Sequence, residues 1–118
     1  MGRISPRARV LVVDDDRSFR SMLALSLRRA GFKVATAPSG EAALARLSRE
    51  PFAWLVSDVN MEGIGGVELC ERAARLHPGL RAVLVSANFP AGGLSPGRAE
   101  KLFIKPFEVS DLAACLRG

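Results

Sequence analysis

Short apolar runs and amphipathic stretches alternate along this chain of 118 residues. Arg9 to Val13 (RVLVV), Ala53 to Asp58, Ala82 to Val85 and Leu102 to Ile104 are rich in valine, leucine and isoleucine without polar alternation. That is the pattern of strands covered on both faces. Lys33 to Ala37 is a weaker fifth strand. Between the first two, Phe19, Met22, Leu23, Leu27 and Ala30 recur at helical spacing, with Asp16 placed to cap the helix and Gly31 to end it. Pro38-Ser39-Gly40-Glu41 opens a second helix with Ala43, Leu44 and Leu47 on its apolar side, and Pro51 closes that unit. Val67, Cys70, Ala73 or Ala74, and Leu76 outline a third helix, ended by His77-Pro78-Gly79. Val109, Leu112, Ala113 and Leu116 outline a last one. The alternation predicts an α/β fold, a parallel sheet with helices on both faces. The crossover NFPAGGLSPGRAEK breaks the rhythm with prolines and glycines, so the helix between strands 4 and 5 is expected to be shortened or missing.

Composition narrows the class. At this length one domain with one core is expected, and 48% hydrophobic against 25% charged residues is globular composition. No apolar run approaches the roughly 20 residues that span a bilayer. The start MGRISPRARV lacks the apolar core of a signal peptide, which sets a cytoplasmic location as the expectation. Residues 1–8 are expected to be a flexible N-terminal segment and 9–118 the folded domain. Cys70 and Cys115 fit no ligand spacing and are expected to be buried thiols. The net charge of +5 comes from basic residues that are scattered, many near predicted helix ends where cations offset the dipole. With six Phe, one Trp, no Tyr and no basic stripe, nucleic-acid and membrane partners are not expected, and an acidic protein surface is the better fit to the charge.

The candidate chemistry lies at the strand ends. In an open parallel sheet, ligands bind beyond the carboxyl ends of the strands. Asp14 and Asp15 follow the first strand, Asp58 the third, Ser86 the fourth and Lys105 the fifth. Three carboxylates brought together repel one another and take up protons unless a cation sits among them. Mg2+ suits such a site, with few carboxylates, a backbone carbonyl and retained waters. A strand-tip carboxylate beside Mg2+, a hydroxyl and a lysine can accept a phosphoryl group. Asp58 would be the nucleophile, with Lys105 and Ser86 stabilising the transferred oxygens.

The segments LVVDDD, SDVNM, VLVSA and FIKPF, in this order and spacing, resemble the response-regulator receiver domains of two-component signalling, of the chemotaxis-regulator type. The resemblance runs from Arg9 to Leu116. It implies a flavodoxin-like three-layer α/β/α fold with a five-stranded parallel sheet of order 2-1-3-4-5. It also implies phosphorylation of Asp58 by a histidine kinase's phosphohistidine or a phosphotransfer protein, and signalling by contact with a downstream protein. Such a domain is not an enzyme, although it takes part in its own phosphotransfer and autodephosphorylation. The metal ligands it implies are Asp14 through water, Asp15 and Asp58 directly, and the backbone carbonyl of Asn60. Asp16 would lie outside the site as a cap, and the Lys105-Pro106 peptide would be cis.

The chain departs from the family's pattern in three places. Glu62 stands where a proline usual in the acceptor loop would be, and Gly65 replaces an acidic residue. Leu102 occupies the position of the switch aromatic, while Phe103, one residue on, faces the other side of its strand. The proline–glycine crossover alters the face that partners usually read. An alternative reading is therefore a pseudo-receiver, a protein-interaction module that works without phosphate. A haloacid-dehalogenase-like phosphatase fits less well, because Asn60 stands where its second aspartate would be and the acceptor strand is the third rather than the first.

Overall fold

The computed structural model describes residues 9–88 and 99–118. Five strands, β1 (Arg9–Val13), β2 (Lys33–Ala37), β3 (Trp54–Asp58), β4 (Arg81–Ser86) and β5 (Lys101–Ile104), form one sheet in the order β2-β1-β3-β4-β5. All four pairings are parallel. Four helices accompany them among the described residues: α1 (Arg17–Arg29), α2 (Gly40–Leu47), α3 (Gly66–Leu76) and α4 (Val109–Arg117). The alternation of patterns predicts this parallel sheet with helices on both faces, and the flavodoxin-like strand order is the one the family resemblance implies. The expected shortening of the helix between β4 and β5 lies mostly outside the described residues; Ala99 and Glu100, which are described, are not helical.

Because side chains alternate along a strand, each strand feeds two cores. Leu11, Val13, Leu55 and Leu84 point to one side and meet Ala43 and Leu47 of α2 and Leu69, Cys70 and Ala73 of α3. Val10, Val12, Trp54, Val56, Val83, Val85 and Phe103 point to the other, against Leu23 and Leu27 of α1 and Leu112, Ala113 and Leu116 of α4. The central strand β3 is buried along its whole length, which explains the unbroken apolar run Trp54 to Val56 ahead of Ser57 and Asp58.

The helix ends follow local rules. Asp16 caps α1 by accepting from the N–H groups of Ser18 and Phe19, and Ser39 caps α2 through the N–H of Ala42. Gly31, at φ 106°, takes the left-handed turn that ends α1. His77 is a loop residue, as expected, and adds a tie between units: its Nε2 lies 2.6 Å from the carbonyl oxygen of Leu47.

Some expected core positions are corrected. Met22 and Leu76 are exposed at 44% and 47%, while Ala24 and Leu69 are core. Met22 sits about 100° around the helix from Leu23, at the edge of the stripe. In α3 the buried line runs Gly66, Leu69, Cys70, Ala73. It starts on a glycine that carries no hydrophobic signal, so counting from Val67 displaces the stripe by one residue. Cys70 is buried as expected, whereas Cys115 is only half-buried. The strands also run slightly differently from the sequence expectation: β3 starts at Trp54, β4 runs Arg81–Ser86 and β5 starts at Lys101.

Candidate functional site

The parallel register brings the strand ends to one edge. Asp58 pairs with Val85, so Ser86 ends the neighbouring strand one residue further on, and Ser86 in turn pairs with Ile104, which precedes Lys105. Backbone bonds continue the ladder past the strands, from Val59 N–H to Val85 O (2.8 Å) and from Lys105 N–H to Ser86 O (2.8 Å). Carboxylate oxygens of Asp14, Asp15 and Asp58 come within 4.8 Å of one another.

The three carboxylates differ in setting. Asp14 is 3% exposed; its Oδ1 accepts the N–H of Asp16 (2.8 Å) and its Oδ2 lies 3.2 Å from Lys105 Nζ. Asp15 is exposed, and its Oδ2 accepts the N–H of Glu62 at 3.3 Å. Asp58 is 8% exposed, with its Oδ1 3.4 Å from Lys105 Nζ. Burial, followed by the nearby Asp14 charge, raises the Asp58 carboxyl above the ordinary carboxylate value, against the opposing pull of Lys105 and the Asn60 N–H. Three carboxylates thus share one ammonium, and the cluster carries net negative charge.

Lys105 is the ammonium that spans this cluster, and it is held from beneath. Its Nζ lies 3.9 Å from the centroid of the Phe19 ring. Phe19 meets Phe107 edge-on at 6.2 Å, and Phe107 lies 5.5 Å from Phe103. The Lys105-Pro106 peptide is cis. Ser86 is buried, and its hydroxyl donates to the carbonyl of Asn88 (2.8 Å) while accepting the Asn88 N–H (3.2 Å). The hydroxyl is thus engaged within its own turn.

An open cleft of about 440 Å3, lined by Asp15, Val59, Asn60, Met61, Glu62 and the loop glycines, leads to the cluster. Gly66 packs against the Asp58 backbone. A Cβ there would fall on the carbonyl oxygen of Asp58, so only glycine lets α3 start this close to the strand tip.

All-oxygen donors, two of them buried, suit a hard divalent cation. Asp16 stands outside the cluster as the α1 cap. Two contributions went unread in the sequence. The Phe19 ring under Lys105 depends on tertiary packing; the Glu62 N–H on Asp15 did leave a trace, since a residue other than proline there restores a donor.

A family model described as "Response regulator receiver domain" matches residues 10–117. The chain is 35% identical over 108 residues to the response regulator receiver protein CpdR of Brucella abortus (strain 2308), covering 88% of this chain and 89% of that protein. It is 38% identical over 94 residues to the response regulator receiver protein Anae109_2439 of Anaeromyxobacter sp. (strain Fw109-5), covering 80% of this chain but only 40% of that longer protein. Among solved structures it is similar to TrrA of Thermotoga maritima in complex with Mg(2+)-BeF, with TM-score 0.83, 27% identity, and 92% and 96% of the two chains covered. It is also similar to a response regulator protein from Burkholderia pseudomallei with a phosphorylated aspartic acid, calcium ion and citrate. There the TM-score is 0.83 and the identity 25%, with 92% of this chain and 65% of that one covered.

Proposed function

The chain belongs to the response regulator receiver domain family, and from that premise we propose that residues 9–118 take a phosphoryl group onto Asp58 and signal its presence by protein contact. The observation that carries this reading is the placement of a buried Asp58 carboxylate within 4.8 Å of Asp14 and Asp15 and 3.4 Å from Lys105, at the carboxyl edge of the sheet. In the transfer, an Asp58 oxygen attacks phosphorus, a P–O bond forms and the P–N bond to the donor imidazole breaks. The product is an aspartyl phosphate, and the imidazole, protonated beforehand on its other ring nitrogen, takes the P–N electron pair and leaves as the donor's neutral side chain. Lys105 is within reach to pair with an equatorial oxygen. Ser86 would turn its hydroxyl from the Asn88 carbonyl to another. Asp14, Asp15, Asp58 and the Asn60 carbonyl would hold Mg2+, which when bound offsets the carboxylate repulsion and the charge of the transferred group.

The phosphoryl donor is a histidine kinase or phosphotransfer protein. The chemistry is self-directed phosphorylation and dephosphorylation, without turnover of a separate substrate, and neither nucleic acid nor membrane is engaged. No described helix is long and apolar enough to cross a membrane, and a cytoplasmic site of action accords with that. A second reading, the phosphate-independent interaction module, is favoured by one pair of positions. Leu102 packs toward α2 and α3, whereas the aromatic Phe103 lies on the α1 and α4 side.

Intact mass after incubation with Mg2+ and acetyl phosphate separates the two. The phosphoacceptor reading expects one added phosphoryl group, absent in Asp58→Asn. An unmodified wild type, with partner binding indifferent to Asp58→Asn, would establish the second.

A further inference from the structure

At the opposite end of the sheet from the carboxylates lies a second polar cavity, of about 190 Å3. It is walled by Arg9 at the start of β1, Lys33 to Ala35 at the start of edge strand β2, Arg46 of α2, and Phe52. Three cations line it. Glu50 supplies a nearby carboxylate, with Oε1 3.1 Å from Arg9 Nη2 and Oε2 3.1 Å from Arg46 Nε. The cluster of Arg9, Lys33, Arg46 and Glu50 therefore keeps a net positive charge.

Its donors are also incompletely used. Two guanidinium groups offer ten N–H bonds in a fixed fork geometry. Among the described residues, Arg9 Nε is buried without a hydrogen-bond partner. Arg46 Nε is likewise buried and makes no well-directed bond, despite its proximity to Glu50. Buried N–H groups are nearly always satisfied, so the unpartnered Arg9 Nε beside a polar cavity calls for an acceptor, while Arg46 Nε has only the Glu50 carboxylate against it. The Arg9 guanidinium is also fixed in place, 4.9 Å from the centroid of the Phe52 ring, which lowers the entropy lost when a ligand orders it. A role confined to tying β1 to α2 through Glu50 accounts for two of the contacts. It explains neither the third cation nor the unfilled donors.

We propose that this cavity binds a small phosphate-type oxyanion, held by Arg9, Arg46 and Lys33. Planar guanidinium forks match tetrahedral oxyanions bidentately, and the volume holds several waters' worth of ligand at about 30 Å3 each. The site is remote from Asp58 and does not depend on the phosphoacceptor reading.

The experiment is an amide chemical-shift titration of the full chain with inorganic phosphate, at ionic strength balanced with chloride and with EDTA present. A parallel arm uses adenosine monophosphate as a carrier of the same group. The expected result is saturable shifts at Arg9, Lys33 to Ala35, Arg46 and Phe52. Arg46→Gln should weaken binding tenfold or more and Arg9→Gln/Arg46→Gln should abolish it, whereas Asp58→Asn and the distant Arg75→Gln should leave it unchanged. Tighter binding of the nucleotide would assign a nucleotide-borne phosphate, and equal or weaker binding a free ion. Shifts that do not saturate, or that persist in the double variant while thermal unfolding shows it folded, would overturn the proposal.

Discussion

Replacing Asp58 with Asn should stabilise the metal-free protein, although it removes the group on which the proposed chemistry depends. The substitution keeps the shape and an oxygen for the Asn60 N–H. Asp14 and Asp58 carboxylate oxygens lie within 4.8 Å, which at an effective dielectric constant near 20 costs at least about 3.5 kcal/mol. Lys105 at 3.4 Å returns about 5 kcal/mol on the same basis. Burying the anion costs several kcal/mol more, which leaves ionised Asp58 disfavoured by about 1–2 kcal/mol. For a domain of this size that is a gain of about 4–8 °C in Tm for Asp58→Asn, measured by thermal unfolding in EDTA at low ionic strength and neutral pH. The pH dependence has a definite sign. Because the folded carboxyl is raised above its unfolded value, stability is present below about pH 3.9 and is lost as pH rises through the folded value. The advantage of Asp58→Asn should accordingly vanish in acid and grow toward neutrality, and Mg2+ should raise the wild-type Tm more than the variant's. A variant no more stable than wild type at neutral pH in EDTA would refute the reasoning about charge in this site.

Other outcomes follow from neighbouring groups. Glu62→Pro removes the N–H that holds Asp15 and should weaken Mg2+ binding about fivefold by titration calorimetry, the worth of about 1 kcal/mol for an exposed charge-assisted bond; Glu62→Ala, which keeps the N–H, should not. Gly66→Ala drives a methyl into the Asp58 carbonyl and should cost about 2–3 kcal/mol in urea unfolding. Burial, with Glu71 beside it, pushes the Cys70 thiol up to about 12, so mild alkylation of the native protein should label half-buried Cys115 first, as read by peptide mass.

Much of this was legible in the chain because each feature had a local cause. RVLVV and KVATA mark β1 and β2 to the residue, and Asp16 and Ser39 sit where a helix needs its first N–H groups satisfied. The acidic tips were visible because a strand that ends in Asp, in an open parallel sheet, points at a ligand edge. What escaped depends on the packing angle between elements. Whether Met22 or Ala24 faces the sheet turns on the rotation of α1, and the Lys105 ammonium meets Phe19 only because α1 packs beside the end of β5. The Ser86 hydroxyl bonds to Asn88 within its own turn, a local alternative that the phosphoryl-acceptor pattern does not reveal.

The proposed chemistry puts the phosphoryl group on Asp58 and on no other carboxylate of the cluster. Borohydride reduces an aspartyl phosphate to homoserine, so peptide mapping after Mg2+, acetyl phosphate and borohydride locates the acceptor. The expected result is homoserine at position 58 alone, and only when Mg2+ is present. Homoserine at 14, 15 or 16, or none at all under these conditions, would contradict the account.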